Sequence, residues 1–313
     1  VRWYDIEVDF EGSANSSFYN GFGAPDTQQF GSNLSAQYAP GNANGYPDKA
    51  ETDGVIGKVT YSWKPSEDKM YYVTWSEGFR PGLLNRPVGR TSADGSYSVP
   101  PSVDSDEITN MEFGWKNVLQ DGRLRFNGSI FRVDVSGLQS TIFDPSIVNL
   151  FFSDNAADAE IKGVEGDFIY YTEGGLILSG AFSLLDTEIT KSLIPTGDIV
   201  VGQDLAFAPG FQANLSGRKE WTMEGGNTGF WQLQFSMSDK SYSDIMQPNR
   251  AKQDSYNLTN LRAGISTDDW TAEMYVDNLT DERAEISNTF VFDRQRVAVV
   301  RPMTVGLRYK MKF

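Results

Sequence analysis

Histidine and cysteine are both missing from this 313-residue chain. Without cysteine there is no disulfide framework, no zinc–thiolate site and no thiol nucleophile. Without histidine, Ser-His-Asp hydrolysis, histidine–metal catalysis and histidine-ligated haem are excluded within it. Long apolar runs are missing as well: no stretch approaches the roughly 18 to 20 residues that a membrane-spanning helix needs. Strands remain open as a way across a bilayer, because a barrel leaves only a weak signal per segment. Positive charge is scarce, with 27 Lys plus Arg against 42 Asp plus Glu, and a net charge of −15 argues against a nucleic-acid partner. There is no P-loop, no Gly-x-Ser-x-Gly and no carboxylate dyad, so nothing points to an enzyme or to a bound cofactor.

What the chain does have is alternation. In the final "RPMTVGLRYKMKF", Met303, Val305, Leu307, Tyr309, Met311 and Phe313 share one parity, and Thr304, Gly306, Arg308, Lys310 and Lys312 share the other. A period of two marks a strand with one apolar and one wet face. The same pattern recurs as hairpins with tight polar turns at "KPSEDK", Asp121-Gly122, Gly174-Gly175, Glu224 to Gly229 and Asp268-Asp269. Longer polar loops separate them, at about 11–53, 80–106, 141–159, 191–208, 245–254 and 284–300. Strict short/long alternation of connections is the habit of an outer-membrane barrel. The pattern predicts an all-β, antiparallel up-and-down barrel of about twelve strands spanning residues 1–313 as one domain, its last strand closing on its first.

Aromatics sharpen the reading. Trp63, Tyr71, Trp115, Tyr170, Trp221, Trp231 and Trp270 lie close to the short turns, where a membrane girdle of Trp and Tyr belongs. The opposite parity carries Lys58, Thr60, Ser62, Gln212, Asn214, Ser216, Gln232 and Gln234, so that face is wet. In "LRFNGSIFRVDV" the apolar residues change parity between Ile130 and Phe131, which predicts a bulge or a passage out of the bilayer.

Four segments in order resemble one family, the TonB-dependent outer-membrane receptors. "YYVTWSEGFRPGLLN" (71–85) is similar to its Gly-Phe-Arg strand-to-loop segment. "KGVEGDFIYY" and the strand that follows (162–190) resemble its Lys-Gly-Val-Glu hairpin. "YVDNLTDERA" (275–284) is similar to its Asn-Leu-Thr-Asp segment, and the ending in Tyr309, Met311 and Phe313 resembles its barrel-insertion signal. The resemblance implies the C-terminal portion of a 22-stranded barrel, with the plug and first strands outside this chain; the lack of an initiator Met fits a piece of something longer. It also implies import of a scarce, siderophore-like ligand powered by the TonB energy-transducing complex. Further implied partners are the barrel-assembly machinery and the lipid of the bacterial outer membrane. A passive porin of about twelve strands is the alternative.

Candidate ligand residues follow from the same segments. Phe79 and Arg80, before Pro81, sit where haem receptors of the family carry a Phe-Arg-Ala-Pro segment, but those pair it with a histidine that this chain lacks. Arg80 reads either as a cation for an anionic ligand or as half of a structural ion pair. Asn85 lies just beyond, and Tyr19 and Tyr38 sit in an aromatic, Asn-rich loop able to stack on a ligand. Two acidic groups, Asp104, Asp106 and Glu107, and Asp154, Asp158 and Glu160, read as solvated loop residues rather than a calcium site.

Overall fold

The structure is a computed structural model and describes residues 1–9, 49–85, 91–144, 147, 151–291 and 294–311. The chain starts with β1 (Arg2–Asp9), β2 (Lys49–Ile56), β3 (Lys58–Ser66) and β4 (Lys69–Arg80). The short β5 (Leu83–Leu84) and β6 (Ser102–Val103) precede β7 (Asp106–Leu119), β8 (Leu124–Ile142) and β9 (Phe152–Tyr171). Then come β10 (Leu176–Ser192), β11 (Phe211–Thr222), β12 (Thr228–Ser238), β13 (Ser241–Tyr242) and β14 (Lys252–Gln253). The chain closes with β15 (Tyr256–Ser266), β16 (Trp270–Asp277), β17 (Glu285–Val291), β18 (Arg294–Val299) and β19 (Thr304–Met311).

Eleven of these form one antiparallel meander, in the order β3-β4-β7-β8-β9-β10-β11-β12-β15-β16-β19. With β1, which pairs on β2, they account for the twelve predicted strands. The predicted closure does not occur. Among the described residues β19 pairs with β16 alone, while β1 and β2 make a separate ribbon and β3 is the far edge of the sheet. Each inner strand spends both edges on its chain neighbours, which leaves β3 and β19 terminal. Two loop boundaries also move. The 11–53 loop ends early because β2 begins at Lys49, and residues 284–300 hold the hairpin β17–β18 instead of irregular loop.

Register places the side chains. Tyr61, Val73, Phe113, Ile130, Val164, Leu184 and Phe211 are successive cross-strand partners, so they line one face. All seven predicted girdle aromatics lie on that same face, and neighbouring rings touch, as Trp63–Tyr71 (5.8 Å) and Trp270–Tyr309 (6.0 Å) do. The band is not covered by protein: Tyr61, Trp63, Leu215, Leu233, Leu307 and Tyr309 are all exposed.

Close approach of strands falls to glycine facing an aromatic directly opposite. Tyr72 lies over Gly114, Trp115 over Gly128 and Tyr275 over Gly306. Any Cβ at those sites would meet the ring.

Strands β8 and β9 run 19 and 20 residues, roughly twice the 9–11 that a tilted strand needs to cross a bilayer. Beyond Ile130 the two faces exchange character without a slip, since the β7–β8 ladder continues unbroken from Leu124 to Ser136. The apolar face turns charged at Arg132, Asp134, Glu160 and Lys162, which pair with one another. The polar face turns apolar at Val133 and Val135. These join the buried core of Tyr97, Val99, Ile142, Phe152, Ile189, Ile199, Ile245 and Met246. So the parity change at Ile130/Phe131 is a passage between surroundings, and the bulge lies further on, at Ser136–Gly137, where Gly137 takes φ +65.

Candidate functional site

The long-loop end is where strands, loops and polar groups converge. Buried Asp106 is 0% exposed and opens β7 opposite Arg80, the last residue of β4. Its Oδ1 accepts the Arg80 backbone N–H (3.0 Å). Its Oδ2 accepts Arg80 Nε (2.7 Å), Arg80 Nη2 and the Gln139 N–H. Gln139 then donates to the carbonyls of Pro81 (3.0 Å) and Asp104 (2.8 Å). Asn155 on β9 grips Asp104 through both its amide oxygen and its amide nitrogen, and also donates to Gly137 O. A fork-to-carboxylate pair of this kind is a strong, directional contact. Here it pins the start of the 81–105 loop to the wall.

Asn85 is 3% exposed and sits deeper in the same stitching. Its amide donates to Pro100 O (3.0 Å) and Ser153 O (2.7 Å), and its oxygen accepts the Ser153 N–H (2.8 Å). Phe79 points to the other face, stacked on Tyr4 of β1 at 3.6 Å and 18°. Arg80 and Asn85 therefore share one loop base, and Phe79 lies behind the wall. The Arg80 side chain keeps 51% of its surface open. Tyr19, Tyr38 and Phe313 lie outside the described residues.

Asp106, Asp154, Asp158 and Glu160 are strand-borne and engaged, contrary to their reading as solvated loops, whereas Asp104 and Glu107 are exposed. Asp106 and Glu107 belong to β7, and Asp154, Asp158 and Glu160 to β9. Asp158 accepts the N–H of the bulge residue Gly137, and Asp154 accepts the Tyr97 hydroxyl (2.6 Å). Burial, then that hydrogen bond and charge, push the Tyr97 phenol well above its usual range. In the turn below, Asp94 is pulled down to about 2 by hydrogen bonds from Ser92 and Ser96. None of Tyr97, Gln139 and Asn155 stands out in the sequence, because each acts through a partner far away along the chain.

The Asn-Leu-Thr-Asp segment is likewise a stitch. Asn278 takes φ 55, donates to Glu282 O (2.9 Å) and Arg301 O (2.8 Å), and accepts the Glu282 N–H (2.9 Å). It fastens the end of β16 to the approach to β19.

On the polar face the wall carries Thr60, Gln212, Asn214, Gln232 and Gln234 with an ion lattice of Arg262, Glu273 and Arg308. It is a hydrophilic lining without a nucleophile–base pair.

The fold is that of solved receptors. The ferric yersiniabactin uptake receptor FyuA from Yersinia pestis superposes with TM-score 0.68 at 18% identity, over 85% of this chain and 38% of that one. The siderophore receptor PiuA from Acinetobacter baumannii gives 0.63 at 19% identity, over 83% and 36%. BauA, the ferric preacinetobactin receptor from the same organism, gives 0.61 at 19% identity, over 85% and 37%. The chain thus spans less than two fifths of these receptors, and an open wall is what part of a wider barrel looks like. The family model described as TonB dependent receptor-like, beta-barrel matches residues 5–279. It is a family of outer-membrane receptors and transporters rather than enzymes. This chain belongs to the TonB-dependent receptor-like β-barrel family.

Proposed function

We propose that this chain forms part of a gated receptor that captures a siderophore-like chelate at its long-loop end and passes it inward by TonB-coupled transport. One observation carries the reading. Strands β7 to β10 continue past the apolar band as a tall wall, and loops fold over its inner side around a buried core. A passive porin has no use for such an elaborated outer end. Known siderophore receptors share the fold, which supports the ligand class. Arg80 acts chiefly as a positioning residue, holding the 81–105 loop through Asp106, with its open guanidinium edge available to an anionic ligand. Tyr19 and Tyr38 supply stacking partners. The machinery that inserts the barrel reads Tyr309, Met311 and Phe313. Residues 1–313 serve as the C-terminal portion of a 22-stranded barrel whose plug engages TonB.

The test is uptake of radioactive iron by cells lacking the gene and by cells with it restored, offered hydroxamate, catecholate and mixed chelates in turn. Restored uptake of one chelate class that stops when the proton gradient is collapsed fits the proposal. Uptake that survives the collapse would make the barrel passive, and no difference for any chelate would remove the siderophore class.

A further inference from the structure

Lys219 is a charge in apolar surroundings. It lies on the apolar parity of β11, where its cross-strand partners are Leu176 and Trp231. On that parity of β11, β12, β15, β16 and β19 it is the only charged residue. Trp221 is the next residue of the same face toward the short turn, so Lys219 sits level with the Trp231 ring and inside the girdle. Its side chain makes neither an ion pair nor a hydrogen bond among the described residues, while Arg218 and Glu220, on the polar face, pair with each other. A cation on the lipid face of a barrel costs more the deeper it lies, and a lysine stem lets the ammonium reach back to the headgroups.

Beside Lys219 the same face opens into a cleft of about 520 Å³, lined by Leu176, Leu178, Leu215, Trp231 and Leu233 around Gly217. That lies within the roughly 300–1,000 Å³ of small-molecule sites. Gly217 makes the space. A Cβ there would meet nothing nearer than Leu178 (3.6 Å), Trp231 (3.9 Å) and Leu176 (4.0 Å), whereas Gly128 and Gly229 are each covered by a tryptophan ring. In an outer-membrane barrel the exposed apolar band faces lipid, and the short turns mark the periplasmic leaflet, which is built of glycerophospholipids. Snorkelling alone accounts for the charge but leaves the adjoining cleft unexplained; a phospholipid accounts for both. The sign of the headgroup follows from the surroundings. No acid shares the lining, and Glu173 and Glu220 are already held by Arg123 and Arg218. A headgroup of net negative charge therefore fits better than one whose own ammonium needs a carboxylate.

We propose that the cleft over Gly217 holds an acyl chain of an anionic phospholipid of the periplasmic leaflet, its phosphate paired with Lys219. Such a site rests on the barrel placement of the proposed function, and neither the chelate nor TonB enters it. The test uses the whole receptor, purified from its own membranes and delipidated in mild detergent, with dioleoyl phosphatidylglycerol as probe and native mass spectrometry as readout. One lipid should bind saturably and several-fold more tightly than dioleoyl phosphatidylethanolamine. Lys219→Gln should abolish that preference, and Gly217→Leu, which fills the cleft, should weaken phosphatidylglycerol several-fold. Lys69→Gln, which removes a cation of the same parity opposite Asn117, serves as control and should bind like the parent. A heat-modifiable gel shift certifies that each variant is folded, and if Gly217→Leu fails it, Gly217→Ala is read instead. Equal affinity for the two lipids, undiminished binding in Lys219→Gln or in the Gly217 variant, or an equal loss in Lys69→Gln each overturns the site. Since no step of the assay uses iron uptake, failure of the transport reading leaves its result standing.

Discussion

Glycine and its aromatic partner show how much a single atom decides in this wall. The atoms nearest a Cβ on Gly114 would all belong to Tyr72, whereas one on Gly264 would meet the backbone oxygen of Ala272 as well as the Phe230 ring. Overpacking of this kind costs about 1–3 kcal/mol. Gly114→Ala should therefore lower stability, and Tyr72→Ala in the same chain should recover most of the loss. Gly264→Ala should resist rescue by Phe230→Ala, because a carbonyl in a ladder cannot step aside. Unfolding in detergent by denaturant, arranged as double-mutant cycles, measures both; equal recovery in the two cycles would defeat the argument. Little of this is legible from the residues alone. Tyr72 and Gly114 lie in different hairpin arms, and only register makes them partners. The same holds for the loop base: Arg80 and Asn85 stand out in the sequence, but their partners Asp106 and Ser153 are 26 and 68 positions away.

Strands were far more readable, because a period of two survives any three-dimensional arrangement. The hairpins, their tight turns and the apolar parity all follow from it. The change at Ile130/Phe131 was visible too, yet its cause was not. Only the unbroken ladder shows that the surroundings change while the strand does not slip. Above that level the loops depend on buried polar contacts, and Tyr97 gives them a pH signature. Its folded pKa lies above the ordinary phenol value of about 10. The contribution is thus fully present below pH 10 and is lost as pH rises above it, when the unfolded phenol ionises and the folded one cannot. Hydrogen exchange in residues 91–103 should quicken above that pH beyond its intrinsic rise, and Tyr97→Phe should flatten the dependence. An unchanged profile in the phenylalanine variant would assign the effect elsewhere.

At the scale of the molecule, the short turns belong on the periplasmic side and the long loops outside. The chain has no cysteine, so a single introduced thiol reports its own position. Asp254→Cys, in a long loop with its side chain 84% exposed, should react with an impermeant maleimide on intact cells. Ser66→Cys and Asn227→Cys, at short turns, should react only after the outer membrane is permeabilised. Labelling of the turns on intact cells would invert the barrel. Among the described residues, the two free edges of the eleven-stranded sheet, at β3 and β19, belong to the same scale. Lipid leaves unpaired backbone groups no other donor or acceptor, so such edges call for strand partners.

The sequence by itself determined the class of the molecule: strands rather than helices, which residues share a face, which connections are tight, and which chemistries the missing residues forbid. These are local properties, set by side-chain alternation and turn chemistry within a dozen or so residues. Only the tertiary structure decided which strand lies beside which, that the last strand does not close on the first, and where the wall leaves its apolar surroundings. It also decided that Asp106, Asn85 and Asn278 spend their polar groups on distant backbone. Those facts depend on pairing between residues far apart in the chain, and a one-dimensional pattern carries the period of a strand but not its neighbour.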